Sequence, residues 1–205
     1  MLLWFWLRHR PLGDAVALRR CSGWTAAFCA FAAVGLFVVV ELALALLPAV
    51  WLSDYNDHME LLLSTGLIPA LSIAAAGPLA EELMFRGVIQ TRLERAMPVW
   101  AAVVLQAVLF GVTHGTPVQM AYAFLMGLVF GLLRSRTGSI LPGFAAHAAF
   151  NAMNNPLGLF GGAAENWYAL LVMAAVSAAG CVLCRRGAAA LTAASASGEA
   201  YPPSA

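Results

Sequence analysis

Apolar residues in this chain do not alternate with polar ones. They come in unbroken stretches of 16 residues or longer, separated by short polar breaks. A helix crosses a bilayer with about 20 mainly apolar residues, so each stretch is long enough to be a membrane or near-membrane helix. The first runs from Trp24 to Trp51 and is followed by a polar stretch, Ser53 to Glu60, that reads as a loop carrying His58 as a solvated residue. The second starts near Leu61 and continues past Pro69 and Gly77 as an amphipathic pattern, with Val88, Ile89 and Leu93 on one face and Gln90, Arg92, Glu94 and Arg95 on the other. That pattern predicts one long helix, kinked near Pro78 and ending at Ala96-Met97-Pro98. The third, Val99 to His114, is broken by Gly115-Thr116-Pro117. The fourth, Val118 to Leu133, holds Gly127 and Gly131 at the GxxxG spacing that lets helices approach closely. The fifth, Ser139 to Asn155, has Pro142 where a first helical turn tolerates it. A Gly-rich loop, Pro156 to Asn166, leads to the sixth, Trp167 to Cys184.

Composition agrees with the pattern. The chain has 205 residues, of which 62% are hydrophobic and 10% charged, and its mean hydropathy is +0.82. These values place it among membrane proteins. The predicted fold is all-α, a polytopic membrane helix bundle with about six transmembrane helices. It divides into an amphipathic cytoplasmic segment over 1–23, a membrane-embedded domain over 24–186 and a disordered tail over 187–205. In the first segment Trp4, Phe5 and Trp6 suit a headgroup-level belt. Its arginines follow a short apolar run instead of preceding it, so cleavage as a signal peptide is not expected.

The net charge is +1, and all eleven basic residues are arginine. With no basic run, nucleic acid is not an expected partner; membrane lipid and a peptide or membrane-protein substrate are. Arginines precede the first stretch and follow the second, fourth and sixth, while the other connections have none. The positive-inside rule then places both termini in the cytoplasm, the expected location being a bacterial inner membrane. Cys21, Cys29, Cys181 and Cys184 read as small apolar residues in helices, and the lone CxxC at 181–184 is a weak metal or redox signal.

Candidate chemistry lies in the few polar residues inside the apolar stretches, where ionisable groups are expensive and point to function. Glu41 stands alone in the first stretch and reads as a paired or protonated interior residue. Glu81, Glu82 and Arg86 fall within six residues. Phe110 and His114 are one turn apart, and His147 and Asn151 share a face at i, i+4. Glu81 lies 16 residues before Met97 and His114 lies 17 after it. In a hairpin turning there, both sit roughly 25 Å from the turn, at one depth. His147, about 12 Å into the fifth helix, meets that depth if the hairpin tip protrudes by about 10 Å. Carboxylate, imidazoles and amide thus converge on one pocket. They suit peptide-bond hydrolysis, which needs a base for water, donors for the oxyanion and an acid for the leaving amine. Glu82, four residues before Arg86, is oriented to neutralise it. That leaves Glu81 to face the cavity.

The ordered set EExxxR, FxxxH and HxxxN, carried by Glu81, Glu82, Arg86, Phe110, His114, His147 and Asn151, resembles the type II CAAX prenyl protease family and its wider CPBP (Abi) membership of CAAX proteases and bacteriocin-processing enzymes. The resemblance spans roughly residues 61–156. It implies an intramembrane endopeptidase of glutamate or metallo type, in which Glu81 and His114 activate water and His147 and Asn151 form an oxyanion site. No cofactor is required for that chemistry. If zinc were used, Glu81, His114 and His147 could supply three ligands with an open position. The alternative function is a non-catalytic membrane scaffold or bacteriocin self-immunity protein that keeps the fold.

Overall fold

The computed structural model describes residues 16–63, 67–153 and 167–196. The Trp4–Trp6 belt, the Pro156–Asn166 loop and the last nine residues lie outside the described residues. Seven helices are present among those described: α1 Gly23–Leu44, α2 Ala49–Leu63, α3 Ile68–Leu93, α4 Val99–Val112, α5 Pro117–Thr137, α6 Leu141–Met153 and α7 Trp167–Ala196. All but α2 fall in the six apolar stretches. The four longest, α1, α3, α5 and α7, are long and apolar enough to cross a membrane, and α4 is a shorter apolar helix. The chain is an all-α, multi-pass membrane bundle.

Helix ends follow local chemistry. Thr116 caps α5 by accepting from the Gln119 backbone N–H, and Pro117 occupies the first turn. Gly138 ends the same helix at φ +67, a left-handed position that glycine takes without strain. α3 contains Pro78, which lacks an N–H and would leave a gap in a regular ladder. The helix continues unbroken because wide π-helical turns, Ser72–Ala76 and Glu82–Gln90, flank the Gly77–Glu81 segment. The helix expected to kink near Pro78 thus changes its winding on both sides of that residue.

Two expectations are corrected. Ser53–Glu60 is not a loop but most of α2. Leu52, Tyr55, His58 and Met59 recur at helical spacing on its less exposed side, while Ser53, Asp54, Asn56 and Asp57 are exposed. His58 accordingly packs beside Gly115, where a Cβ would lie 3.0 Å from its ring. The tail over 187–205 is also not disordered from its start, since α7 continues to Ala196 through an alanine-rich stretch of high helix propensity.

The core joins α1, α5, α6 and α7 through Phe37, Met126, Phe130, Phe150 and Met173. A second cluster of Phe85, Phe110 and Ala123 ties α3 to α4 and α5. α1 packs along both α6 and α7, and α4 along α5. Ser177 anchors α7 to α1 by donating to the Phe31 carbonyl at 2.7 Å. The four cysteines are unpaired, with Cys29 and Cys184 buried. Residues before α1 lie across the start of α6: the Ile140 N–H donates to the Ala17 carbonyl at 3.0 Å, and Ser139 Oγ to the Arg19 carbonyl at 2.6 Å.

Candidate active site

Three elements deliver the polar residues. α3 carries Glu81, Glu82 and Arg86, the end of α4 and the turn after it carry Phe110 and His114, and α6 carries His147 and Asn151. Glu81, Phe110, His114, His147 and Asn151 line one cavity of about 360 Å³. The sequence-derived depth argument and this convergence agree.

The two adjacent glutamates have different surroundings. Glu82 is fully buried, and its Oε1 lies 3.0 Å from Arg86 Nη1 and 3.3 Å from His147 Nδ1. Glu81 keeps a side chain 38% exposed toward the cavity, with Oε2 3.6 Å from His147 Nε2. His147 therefore stands between two carboxylates. The closer contact, between Nδ1 and Glu82 Oε1, is within hydrogen-bond distance, while Nε2 faces the cavity beside Glu81. It is held flat against Phe130, at 5.1 Å between ring centroids and 28° between planes, and edge-on to Phe110 at 5.7 Å.

Arg86 is 0% exposed. Its guanidinium carbon lies 4.3 Å from the centre of the Phe110 ring, 5.2 Å from that of Phe130 and 6.0 Å from that of Phe85. Three ring faces and one carboxylate thus replace water around a cation that would otherwise be strongly destabilising at this depth. The Arg86 nitrogens meet no hydrogen-bond acceptor in good line among the described residues, so the ion pair and the rings carry the compensation.

His114 is oriented by the helix end. A carbonyl only accepts, so the 2.9 Å contact from Nδ1 to the Phe110 carbonyl places the hydrogen on Nδ1 and leaves Nε2 as an acceptor. The Phe110 carbonyl, in the last turn of α4, also accepts from the Thr113 backbone N–H at 3.3 Å and from Thr113 Oγ1 at 2.7 Å. Glu81 lies next to His147, and it lines the same cavity as His114. Asn151 Nδ2 donates to the Ile73 carbonyl at 3.1 Å, which ties α6 to the first π-helical turn of α3. Its second amide hydrogen and its carbonyl remain available.

Several site residues escaped the sequence reading. Phe85 and Phe130 complete the arginine cage but look like ordinary core residues in an apolar run. Gly143 leaves room for Glu82: a Cβ there would lie 2.8 Å from Glu82 Oε2. Gln119 and Tyr122 of α5 and Met59 of α2 close the cavity opposite Glu81. Only Met59 carried a signal, through the helical spacing of α2. Among the described residues no three His, Cys, Asp or Glu side chains are gathered closely enough to hold a metal ion. Glu81, His114 and His147 do not make a three-ligand set as they stand, because Glu81 and His147 face each other while His114 is turned by the Phe110 carbonyl.

Residues 63–153 match the family model described as type II CAAX prenyl endopeptidase Rce1-like. The match covers the site residues from Ile73 to Asn151 and leaves Met59 of α2 outside it. No curated protein and no solved structure matches the chain.

Proposed function

We propose that this chain, whose residues 63–153 match the type II CAAX prenyl endopeptidase Rce1-like family model, is an intramembrane endopeptidase that hydrolyses a peptide bond through a glutamate-activated water. The observation that carries the reading is the division of labour at His147. Glu82 holds one ring nitrogen and Arg86, while Glu81 faces the cavity from the other side.

On this reading a water sits between Glu81 and the free Nε2 of His114. Glu81 takes its proton as the oxygen attacks the substrate carbonyl. The tetrahedral oxyanion receives hydrogen bonds from His147 and from the Asn151 amide. Collapse breaks the C–N bond, and the proton held by Glu81 passes to the leaving amine, so acid and amine products balance the water consumed. Arg86 touches no reacting atom and serves as a positioning residue for Glu82 and His147. The residues do not gather as a metal site, and the proposed chemistry draws on carboxylate, imidazole and amide alone. The arginine distribution supports a bilayer placement with both termini cytoplasmic and the cavity on the cytoplasmic side of the midplane.

The test compares membrane-fraction peptide termini in cells expressing the wild type and Glu81→Gln, together with a cleavage assay on a substrate found that way. Glu81→Gln is expected to abolish processing while the protein inserts and melts as wild type does. Full activity in Glu81→Gln with loss in Glu82→Gln would reverse the two roles, and full activity in both would remove the proposal. Cleavage by purified protein is expected to survive exhaustive chelation. Stoichiometric zinc, with activity lost on its removal and restored on its return, would overturn the metal-free chemistry.

A further inference from the structure

A second, larger cavity of about 680 Å³ lies between α1, α2 and α5. Apart from Asp54, Thr116 and Tyr122 its lining is apolar. Its outer rim is formed by Val39, Val50, Trp51 and Leu125, each more than half exposed, so in a membrane it opens toward hydrocarbon. It shares Tyr122 and Met126 with the catalytic cavity, and those two side chains are the wall between them.

We propose that this cleft is a binding site for one acyl chain of a membrane phospholipid with an amine-bearing headgroup. Three observations select that occupant. The first is length: the lining extends from Leu36 to Leu44 on α1, with Leu47 in the turn beyond, and from Pro117 to Val129 on α5, which at the helical rise is roughly 12–18 Å. One leaflet of a bilayer's hydrocarbon core is about 15 Å deep. The second is polarity. The buried polar side-chain atoms that lack partners belong to Glu82, Arg86, Gln90, Gln106, Gln119 and Arg134, none of which lines the cleft. A peptide strand there would leave its own N–H and C=O groups unpaired, whereas a hydrocarbon chain has none to satisfy. The third is charge. The polar end of the cleft, at the start of α5, carries Asp54, and Asp57 lies one turn on in α2. Those carboxylates attract an ammonium group and oppose a purely anionic headgroup. The chain would lie against Tyr122 and Met126, backing the wall of the catalytic cavity.

The test reads labelling, not cleavage, so it stands or falls apart from the peptidase reading. The full chain is reconstituted in nanodiscs of phosphatidylethanolamine and phosphatidylglycerol, doped with either lipid bearing a diazirine at the end of one acyl chain. After irradiation the adducts are mapped. The phosphatidylethanolamine probe is expected to label the end of the cleft away from Asp54, at Leu36, Val40 and Val129, above the outward face of α7. Ala43→Phe and Ala121→Phe, which fill the cleft without touching the catalytic residues, are expected to lose that excess. Should either variant fail to melt as wild type does, Asp54→Asn with Asp57→Asn supplies the check, by loss of the preference over the phosphatidylglycerol probe. Labelling spread evenly over all lipid-facing helices would overturn the site, and equal labelling by both probes would overturn the headgroup assignment. Displacement of the probe by an isoprenylated peptide, but not by added phosphatidylethanolamine, would give the cleft to a substrate's lipid group instead.

Discussion

At the scale of single residues the site depends on a cation that does not line its cavity. Arg86 is fully buried, paired with a fully buried Glu82 and enclosed by three phenylalanine rings. Removing one member of a buried ion pair leaves the other charge uncompensated, which typically costs about 3–5 kcal/mol. Arg86→Ala is therefore expected to lower detergent melting stability by about that amount, and by less if Glu82 takes up a proton. Adding Glu82→Gln to it should recover part of the loss, because no carboxylate is then stranded. Thermal melting of the two variants beside wild type checks both statements. Gly143→Ala acts on the same carboxylate from α6. The added methyl would meet Glu82 Oε2 at 2.8 Å, and the oxygen has little freedom to retreat because the other one is held by Arg86 and His147. The expected loss is about 1–3 kcal/mol, as for other overpacked interiors, accompanied by reduced cleavage as His147 loses its alignment.

At the scale of elements, the hairpin of α4 and α5 sets the separation on which the cavity depends. Gly127 lets α5 approach α4 so closely that a Cβ would lie 2.9 Å from the Ala107 Cα, a backbone atom that cannot swing aside. The GxxxG spacing was thus a reliable guide to a close contact. Gly127→Leu should push the two helices apart, destabilise the protein by about 1–3 kcal/mol and displace Phe110 and His114 with α4. Melting and cleavage assays on that variant should fall together. Beyond the end of α3, Glu94 receives Gln90 Nε2 at 2.9 Å, Ser135 Oγ at 2.8 Å and the Arg134 guanidinium, joining α3 to the end of α5. Burial works against the Glu94 charge, but these hydrogen bonds outweigh it and hold the carboxyl below its ordinary value of 4.5. A lowered native value means the contribution is fully present above the unfolded value and is lost as the pH falls through the native one. The melting-temperature gap between wild type and Glu94→Gln should accordingly be widest near neutral pH and close progressively as the pH drops below 4.5.

At the scale of the whole molecule, charge asymmetry makes a prediction that packing does not. Arginines cluster at the α3–α4 and α5–α6 connections and after the apolar part of α7, while the α1–α2 region carries Asp54, Asp57 and Glu60. In a background with Cys21, Cys29, Cys181 and Cys184 replaced, a cysteine at Asp57 is expected to react with an impermeant maleimide in intact cells. One at Arg136 should react only after permeabilisation. The reverse pattern would place the catalytic cavity on the other side of the bilayer. With the expected pattern, the arginine-rich hairpin tip is cytoplasmic, and α2 lies at the opposite end of α1 from the N-terminal segment.

The order of residues alone was enough for the helical class, for helices in the six apolar stretches and for the meeting of Glu81, His114, His147 and Asn151 at one cavity. Each follows from a one-dimensional quantity: length of apolar run, position of arginines, and distance along a helix from a turn. It also separated Glu82 from Glu81, since i, i+4 spacing to Arg86 is local geometry. What it left undetermined depends on which helices touch. Phe85 and Phe130 became an arginine cage because α5 crosses α3 at Arg86, and nothing in an apolar run marks a ring as facing a cation. Glu81 came to lie beside His147 because α6 packs against the Gly77–Glu81 segment of α3, a contact that no local pattern announces. The polar stretch 53–60 became helix because α2 has a neighbour, α5, against which Tyr55 packs edge-on to Tyr122 at 6.2 Å. Local polarity announces exposure, but only a tertiary partner decides whether the exposed residues form a loop or the outer face of a helix.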